Sequence, residues 1–442
     1  MNTFNHNLIL KTDSYKLSMP VQYPEGTEVV HSYIESRGGK YDKLIFAGLQ
    51  PLLREYLSLQ VTKEMIDEAE VIVKAHGEPF YRENWEYIVK THNGYLPLRI
   101  RAVAEGTVVK PHQVLLTIEN TDPKCFWLTT HVETMLLRAI WYMTTVATNS
   151  WTSKQLIREY LEETGDPSGL SFKLHDFGAR GVSSGESAML AGAAHLINFM
   201  GTDTIEGVLG AMKYYDAPVS GFSIPAMEHS TVTSWGKDHE ADAFRNMLKH
   251  YAKPGTLVAC VSDSYDIMNA AKNIWGKELR DEVIKSGAII VVRPDSGDPA
   301  VVVTDVVRAL DEAFGSVINA KGYKVLNNVR VIQGDGITTE TIRAILFSLK
   351  CAGYSADNVA FGQGGALLQQ VNRDTCMFAM KCSAIKINGE WKDVFKQPVG
   401  DESKWSKRGR FEHDEHLETK FINGKLYNES KFEEVRARSN VQ

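Results

Sequence analysis

From Phe172 onward one pattern recurs: a short apolar run, a loop of glycine, aspartate and serine, then a stretch whose apolar residues fall at helical spacing. The runs are Phe172-Lys-Leu174, Phe222-Ser-Ile224, Leu257–Val261, Ala288–Val292, Val329–Ile332 and Val359–Phe361. Such alternation predicts parallel strands joined by crossover helices. Six or seven units fit a closed or nearly closed (β/α) barrel better than the competing open doubly wound sheet, and Phe378–Cys382 is a further candidate strand of the series.

The first 120 or so residues read differently. Val29–Glu35 alternates as a half-buried strand does, Lys63–Lys74 has helical spacing, and Pro97–Val109 reads as strands about a Glu105-Gly106 turn. Asn120-Thr-Asp-Pro123 is turn chemistry, and helix-compatible spacing follows to about Glu163, with Asn149-Ser150 as an expected interruption. Beyond Ala384 the chain turns polar, with turn signals at Asn388-Gly389, Gly400-Asp401 and Asn423-Gly424. The fold class is therefore α/β: an irregular barrel over 149–384, an α+β region over 1–148, and a segment over 385–442 that packs back on it.

Composition narrows the function. With 43% hydrophobic and 24% charged residues and no apolar stretch of membrane length, the chain has no reason to enter a bilayer. A net charge of −6 argues against nucleic-acid binding through overall charge. The N-terminus lacks the pattern of a secretory signal, so a cytoplasmic location is expected. Five cysteines without a Cys-x-x-Cys pair are expected to be reduced thiols.

The candidate chemistry lies in the loops after the apolar runs, because a parallel barrel gathers those loops at one face. Gly221–Ser230 delivers Glu228 and His229, and imidazole is the side chain best suited to exchange charge near neutral pH. Gly334-Asp335-Gly336 and Gly362-Gln-Gly364-Gly365 let backbone N–H groups approach a phosphate, or serve as tight turns. Arg293 is suited to gripping a phosphate, and Asp295 to holding a ribose hydroxyl, a metal-bound water or His229; a structural Arg-Asp pair is the alternative. Phe177 is a core plug or a stacking platform, Arg180 an anion ligand or a solvated helix start, and Ser183 or Ser184 the cap of the following helix. Asp203 is an acceptor or a turn residue. Arg373, Lys381, Lys396, Lys404, Lys407, Arg408 and Arg410 form a late basic series. The spacing of His229 and His239 is not His-Glu-x-x-His, which disfavours zinc; magnesium held through a ligand's phosphates needs few protein ligands, and none is assigned.

Taken together, these runs resemble the nicotinamide phosphoribosyltransferases, a type II phosphoribosyltransferase family. The resemblance rests on Thr12-Asp-Ser-Tyr-Lys16, Glu119–Pro123, Val146–Ser150, Leu174–Gly178, Gly201–Thr204, Glu228–Thr231, Trp235–His239, Val261–Asp266, Arg293–Gly297, Val331–Gly336 and Lys381–Ser383, in consistent order. It implies an enzyme that joins nicotinamide to phosphoribosyl pyrophosphate with Mg2+, as a homodimer with shared active sites. By the same resemblance, Phe177 and Tyr15 of the partner subunit would sandwich the pyridine ring, and Asp203 would accept from the carboxamide. Arg180 and Arg293 would line that pocket, with Asp13, Ser223, Ile224, Ser262 and Asp266 as further substrate positions. Asp295, Gly334, Asp335, Gly364 and Gly365 would hold the ribose and its 5′-phosphate, with Arg373 of the partner subunit reaching phosphate. Lys381 and Lys404 would meet phosphate or pyrophosphate, and His229 would be phosphorylated by ATP as co-substrate. Ala179, Ile224 and Met227 stand where vertebrate members carry tyrosine, valine and alanine, which implies altered pocket walls. The alternatives are a nicotinate phosphoribosyltransferase and a non-catalytic nucleotide-binding or signalling protein on the same fold.

Overall fold

The structure, a computed structural model, describes residues 7–440, leaving aside the side chain of residue 403. It divides into two compact units. One comprises the chain to Thr148, Met212–Ala217 and the chain from Val371; the other comprises Asn149–Ala211 and Pro218–Gln370.

The second unit is the barrel. Its parallel strands run in the order Gly201–Thr202, Leu174–Asp176, Val359–Gln363, Val329–Gln333, Ile289–Arg293 and Leu257–Val261. The two edges left over are spanned by an irregular stave at residues 222–226. Phe222 bridges in parallel to Gly201, and Ala226 to Ala259. Four backbone hydrogen bonds make the closure: Thr202 N–H to Phe222 O, Phe222 N–H to Met200 O, Ala259 N–H to Pro225 O and Met227 N–H to Ala259 O.

Alternate residues of each strand face two different cores. Val258, Cys260, Ile290, Val292, Val331, Val359 and Phe361 pack outward with Phe244, Trp275, Val307, Leu310, Ile345 and Leu349 of the surrounding helices. Each such side chain contributes about 1.5–3 kcal/mol on full burial. The helices begin where capping chemistry puts them. Asp298 accepts from Ala300 and Val301 N–H ahead of Pro299–Phe314, Thr338 forms a capping box for Thr339–Cys351, and Ser184 caps Gly185–Leu196.

The first unit is built on a seven-stranded sheet in the order Glu390–Asp393, Phe378–Ile387, Thr27–Ser36, Val114–Asn120, Leu98–Ala102, Glu418–Ile422 and Lys425–Leu426. Its neighbours are antiparallel throughout, so strands from the start and end of the chain interleave. Phe378–Cys382, expected to extend the parallel series, is instead part of this sheet and pairs with Thr27–Ser36. Its apolar run alone did not show that no crossover helix precedes it. The expected break at Asn149-Ser150 is also absent, since Glu133–Thr164 is one helix of 32 residues. Asn149 instead donates to Ala366 O at 3.0 Å. Among the described residues no helix is long and apolar enough to cross a membrane, and all five cysteines are free.

Candidate active site

The inner face of the barrel is sparse. Ala259, Val291 and Ile332, from three neighbouring strands, form a small cluster against which Phe177, Ile224 and Ala360 pack. One step further along, the inward positions are Gly334, Gly362 and Gly364 on two strand ends, and here the missing side chains make room. A Cβ on Gly362 would lie 1.9 Å from the Phe177 ring, so only glycine admits the ring at that place. A Cβ on Gly334 would meet Asp295 Oδ1 at 3.1 Å and the same ring at 3.4 Å. Phe177 is thus a half-buried ring, its backbone N–H donating to Gln363 O at 3.0 Å.

Beside it, Asp176 is fully buried. Its Oδ1 accepts from Gly178 N–H at 2.7 Å, while Oδ2 has no partner. Burial pushes this carboxyl up to about 6. Asp203 N–H donates to Asp176 O, and its exposed carboxylate accepts from Ser223 Oγ at 2.5 Å. The stave that closes the barrel therefore supplies Ser223 to Asp203 and Ile224 to the inner wall.

His229 opens the short helix His229–Thr233, four residues after that stave's proline. Its side chain is 44% exposed, and Nε2 lies 3.0 Å from Oδ1 of Asp263, which is only 4% exposed. The other oxygen of Asp263 accepts from Asp295 N–H at 2.9 Å. One buried carboxylate thus ties the imidazole to the next strand's loop. Glu228, adjacent in sequence, pairs with Ser230 Oγ instead, and Asp295 reaches His229 only through Asp263. Asp263 was passed over in the sequence because Glu228 is the nearer acid; its position at the head of the loop after Leu257–Val261 is the signal that would have found it.

Arg293 and Asp295 lie 3.8 Å apart at the next strand end, and Arg293 Nε is buried without a partner. The Asp295 carboxyl is raised, chiefly by burial, with Arg293 opposing and Asp263 adding to the shift. Asp335 is exposed in its loop, and Gly336 has a φ of +66°, a conformation that favours glycine. Arg180 is exposed on the turn Ala179–Gly181.

Two of the expected contacts take other roles. Ser262 is fully buried: its hydroxyl donates to Cys260 O and accepts from Trp275 Nε1, which leaves it pinning the strand to a helix rather than facing a ligand. Met227 does not face the barrel's inner wall either. It belongs to the outer core and lines a cavity of ≈ 840 Å³ with Trp235, Met247 and Tyr251 between two helices. Asp266 caps the turn Ile267–Asn269 through Met268 and Asn269 N–H.

At the opposite ends of the strands two unforeseen cations, each half-buried, turn inward onto backbone carbonyls. Lys173 Nζ donates to the carbonyls of Ala356, Asp357 and Val359, and Arg330 to those of Leu326 and Val329. Burial brings Lys173 down to about 8. A lysine and an arginine flanking apolar runs carried no sign of this inward turn.

The remaining expected residues belong to the first unit. Asp13 accepts from Thr134 Oγ1 at 2.7 Å, and Tyr15 is 59% exposed with Lys16 Nζ 5.2 Å from its ring centroid. Lys381 lies in strand Phe378–Ile387, its pKa lowered by burial and further by Arg37, Lys396 and Arg373 against the opposing Glu133. Arg373 pairs with Asp374 and Lys404 with Asp401. Arg37 was not foreseen: its guanidinium keeps Nε and Nη2 buried without partners, 3.8 Å from Glu35. One grouping of three possible metal ligands occurs among the described residues, His92, Asp122 and Cys125. There Asp122 already accepts from His92, Tyr87 and Lys124 N–H, and burial raises the Cys125 thiol to about 12.

The parallel barrel and its glycine-rich late loops are the parts that the resemblance to the phosphoribosyltransferases implies, and comparison with known proteins gives the same class. The model of the nicotinate phosphoribosyltransferase (NAPRTase) family matches residues 172–426, and that of the nicotinamide phosphoribosyltransferase N-terminal domain matches residues 7–100. The chain belongs to the nicotinate phosphoribosyltransferase family. Among individual proteins, it is 54% identical to a nicotinamide phosphoribosyltransferase of Xanthomonas campestris pv. campestris, over 98% of this chain and 98% of that protein. It is 32% identical to the nicotinamide phosphoribosyltransferase of Acinetobacter baylyi, over 99% and 97% of the two chains. The fold is also that of the nicotinate-nucleotide pyrophosphorylase of Pyrococcus furiosus, with a TM-score of 0.61 at 16% identity over 100% and 98% of the two chains.

Proposed function

We propose that this chain joins nicotinamide to phosphoribosyl pyrophosphate, forming nicotinamide mononucleotide and pyrophosphate in NAD salvage. The observation that carries the choice of base is the Asp203–Ser223 pair beside Phe177. One oxygen of Asp203 is occupied by Ser223, and the carboxylate is left to accept from a carboxamide N–H. The same charge repels the carboxylate of nicotinate, which weighs against the alternative substrate.

In the reaction the pyridine nitrogen bonds to C1′ as the C1′–O bond to pyrophosphate breaks, through an oxocarbenium-like state. Phe177, seated on Gly362, fixes the plane of the ring and so the line of attack. Arg293, Asp295 and the Gly334–Gly336 and Gly364-Gly365 loops hold the sugar and its phosphate, and basic groups offset charge on the departing pyrophosphate. In the homodimer we propose, Tyr15 of the partner subunit covers the other ring face, and Arg373 of the partner subunit reaches phosphate. Magnesium would neutralise phosphate charge when bound. The described residues offer it no cage at the barrel mouth, and at His92, Asp122 and Cys125 only the carboxylate is a donor suited to it, the imidazole and thiol being too soft.

His229 is the proposed phosphate acceptor. With Nε2–H donating to Asp263, Nδ1 keeps its lone pair, attacks the γ-phosphorus of ATP, and ADP leaves as the N–P bond forms. The test is pyrophosphate release from phosphoribosyl pyrophosphate with nicotinamide or nicotinate, with and without ATP, for the parent and His229→Ala. Preference for nicotinamide, and ATP stimulation confined to the parent, are expected. Preference for nicotinate overturns the substrate, and stimulation of His229→Ala overturns the phosphohistidine.

A further inference from the structure

Glu240 is the first residue of helix Glu240–Tyr251 and should, by position, be an ordinary exposed acid stabilised by the helix N-terminus. It is not exposed. Only 4% of the residue is accessible, and its Oε1 is buried without a hydrogen-bond partner. An ionised carboxylate oxygen in that state loses its solvation with nothing in return. Its charged neighbours make this worse, because they are Asp266 and Asp263 of the loop behind the imidazole. Among the described residues the ion-pair partner of Asp263 is His229, and neither Asp266 nor Glu240 has one. On its own helix His239 and Arg245 are committed to Asp242, and Arg245 also to Glu278 and Glu282. Together, burial and two like charges outweigh the favourable helix terminus, and they push the carboxyl up to about 7.

We propose that Glu240 is a positioning residue for the His229–Asp263 pair: in its neutral form it lets Asp263 alone face the imidazole, and on ionising it adds a like charge behind Asp263 that alters how His229 is held. The inference deepens the reading of His229 given above, since the imidazole it tunes is the proposed phosphate acceptor. It acts through Asp263 and has no contact with substrate. A neutral Glu240 also spares the loop a cluster of three unopposed negative charges, at the place where His229 would receive a further anionic group. ATP stimulation should therefore be greatest below neutrality and fall as Glu240 ionises. In Glu240→Gln, which keeps the shape of the neutral acid, stimulation should persist across the same range.

The test follows the ligand-free enzyme by NMR from about pH 5 to about pH 9, reading the Glu240 carboxyl carbon and the His229 ring Cε1–H in the parent, Glu240→Gln and Asp263→Asn. The Glu240 carboxyl should titrate near neutrality, the same inflection should appear in the His229 resonance, and it should vanish in Glu240→Gln. In Asp263→Asn the Glu240 midpoint should fall, as removal of a like charge requires. Superimposable His229 curves in the parent and Glu240→Gln, or a Glu240 midpoint in the ordinary carboxylate range, overturn the proposal. This readout needs no ATP. Labelling with γ-labelled ATP at pH about 6.5 is scored separately, so that failure of phosphorylation and failure of the Glu240 coupling are told apart.

Discussion

The two units fill their inward faces differently. In the first, both sides of the sheet are engaged by side chains, and some of its polar groups are paired closely: Tyr215 OH donates to the fully buried Glu105 at 2.5 Å, and Arg101 reaches four backbone carbonyls between Phe411 and Leu417. In the barrel, the mouth is lined by glycines, with polar atoms left without partners beside it, among them Asp176 Oδ2 and Arg293 Nε. A buried polar atom without a partner costs about 1–3 kcal/mol. Both units bear that cost, the sheet unit at His31, Ser32, Arg37, Trp127 and Arg410 among others; in the barrel the orphans at Asp176 and Arg293 flank the glycine-lined strand ends, where a ligand can satisfy them.

Changes at the barrel mouth should therefore alter chemistry, and changes in the sheet unit should alter stability. The largest effect is expected for Asp203→Ala, which should erase a discrimination between nicotinamide and nicotinate of up to roughly 10⁴, read from the ratio of kcat/KM values. Mixing Tyr15→Ala chains with Asp203→Ala chains should then restore part of the activity through hybrid sites. Failure to do so places the whole site within one subunit. Gly362→Ala forces a methyl group into the Phe177 ring and should raise the KM for nicotinamide about tenfold, consistent with about 1–3 kcal/mol of overpacking. Tyr215→Phe should instead lower unfolding stability by about 1–3 kcal/mol, by leaving Glu105 unsatisfied, with kcat/KM unchanged. A change in substrate ratio for Tyr215→Phe would break the contrast between the units.

The smallest effect concerns pH. Asp176 has its ordinary value of 3.8 raised to about 6. The folded state holds this proton more tightly than the unfolded state, so the stability tied to it is present below the ordinary value and is lost as pH rises towards 6. Asp176→Asn has no proton to lose. Its Tm relative to the parent should climb between pH about 4 and about 6 and then level off, and a flat difference would show that Asp176 ionises freely.

The barrel was legible in the sequence because its strands and loops repeat as one unit, each apolar run announcing a loop that faces the site. His229, Asp203, Phe177, Arg293 and the glycine loops were singled out in that way, and the structure sets them at or beside the strand ends of the barrel. Asp263 was missed because its partner lies one strand away around the ring, a distance that sequence spacing does not record. Ser262 was misassigned because it sits beside Asp263 in the same motif, yet points to the opposite face. The sheet unit was less legible. Its strands come from both ends of the chain, so Phe378–Cys382 read as one more barrel strand, and nothing local marks Arg37 as a buried guanidinium.

The stave at residues 222–226 carries a consequence for how this site breathes. The other barrel strands are stitched by ladders, whereas this one is held by a single bridge on each side. Its opening costs few hydrogen bonds, so the amides of Thr202, Phe222, Met227 and Ala259 belong among the early-exchanging positions of an otherwise protected ring. Ser223 and Ile224 ride on the stave, and His229 follows it. The base selection and the phosphate acceptance proposed above therefore share the ring's most loosely held segment, where a small local fluctuation would reach both at once.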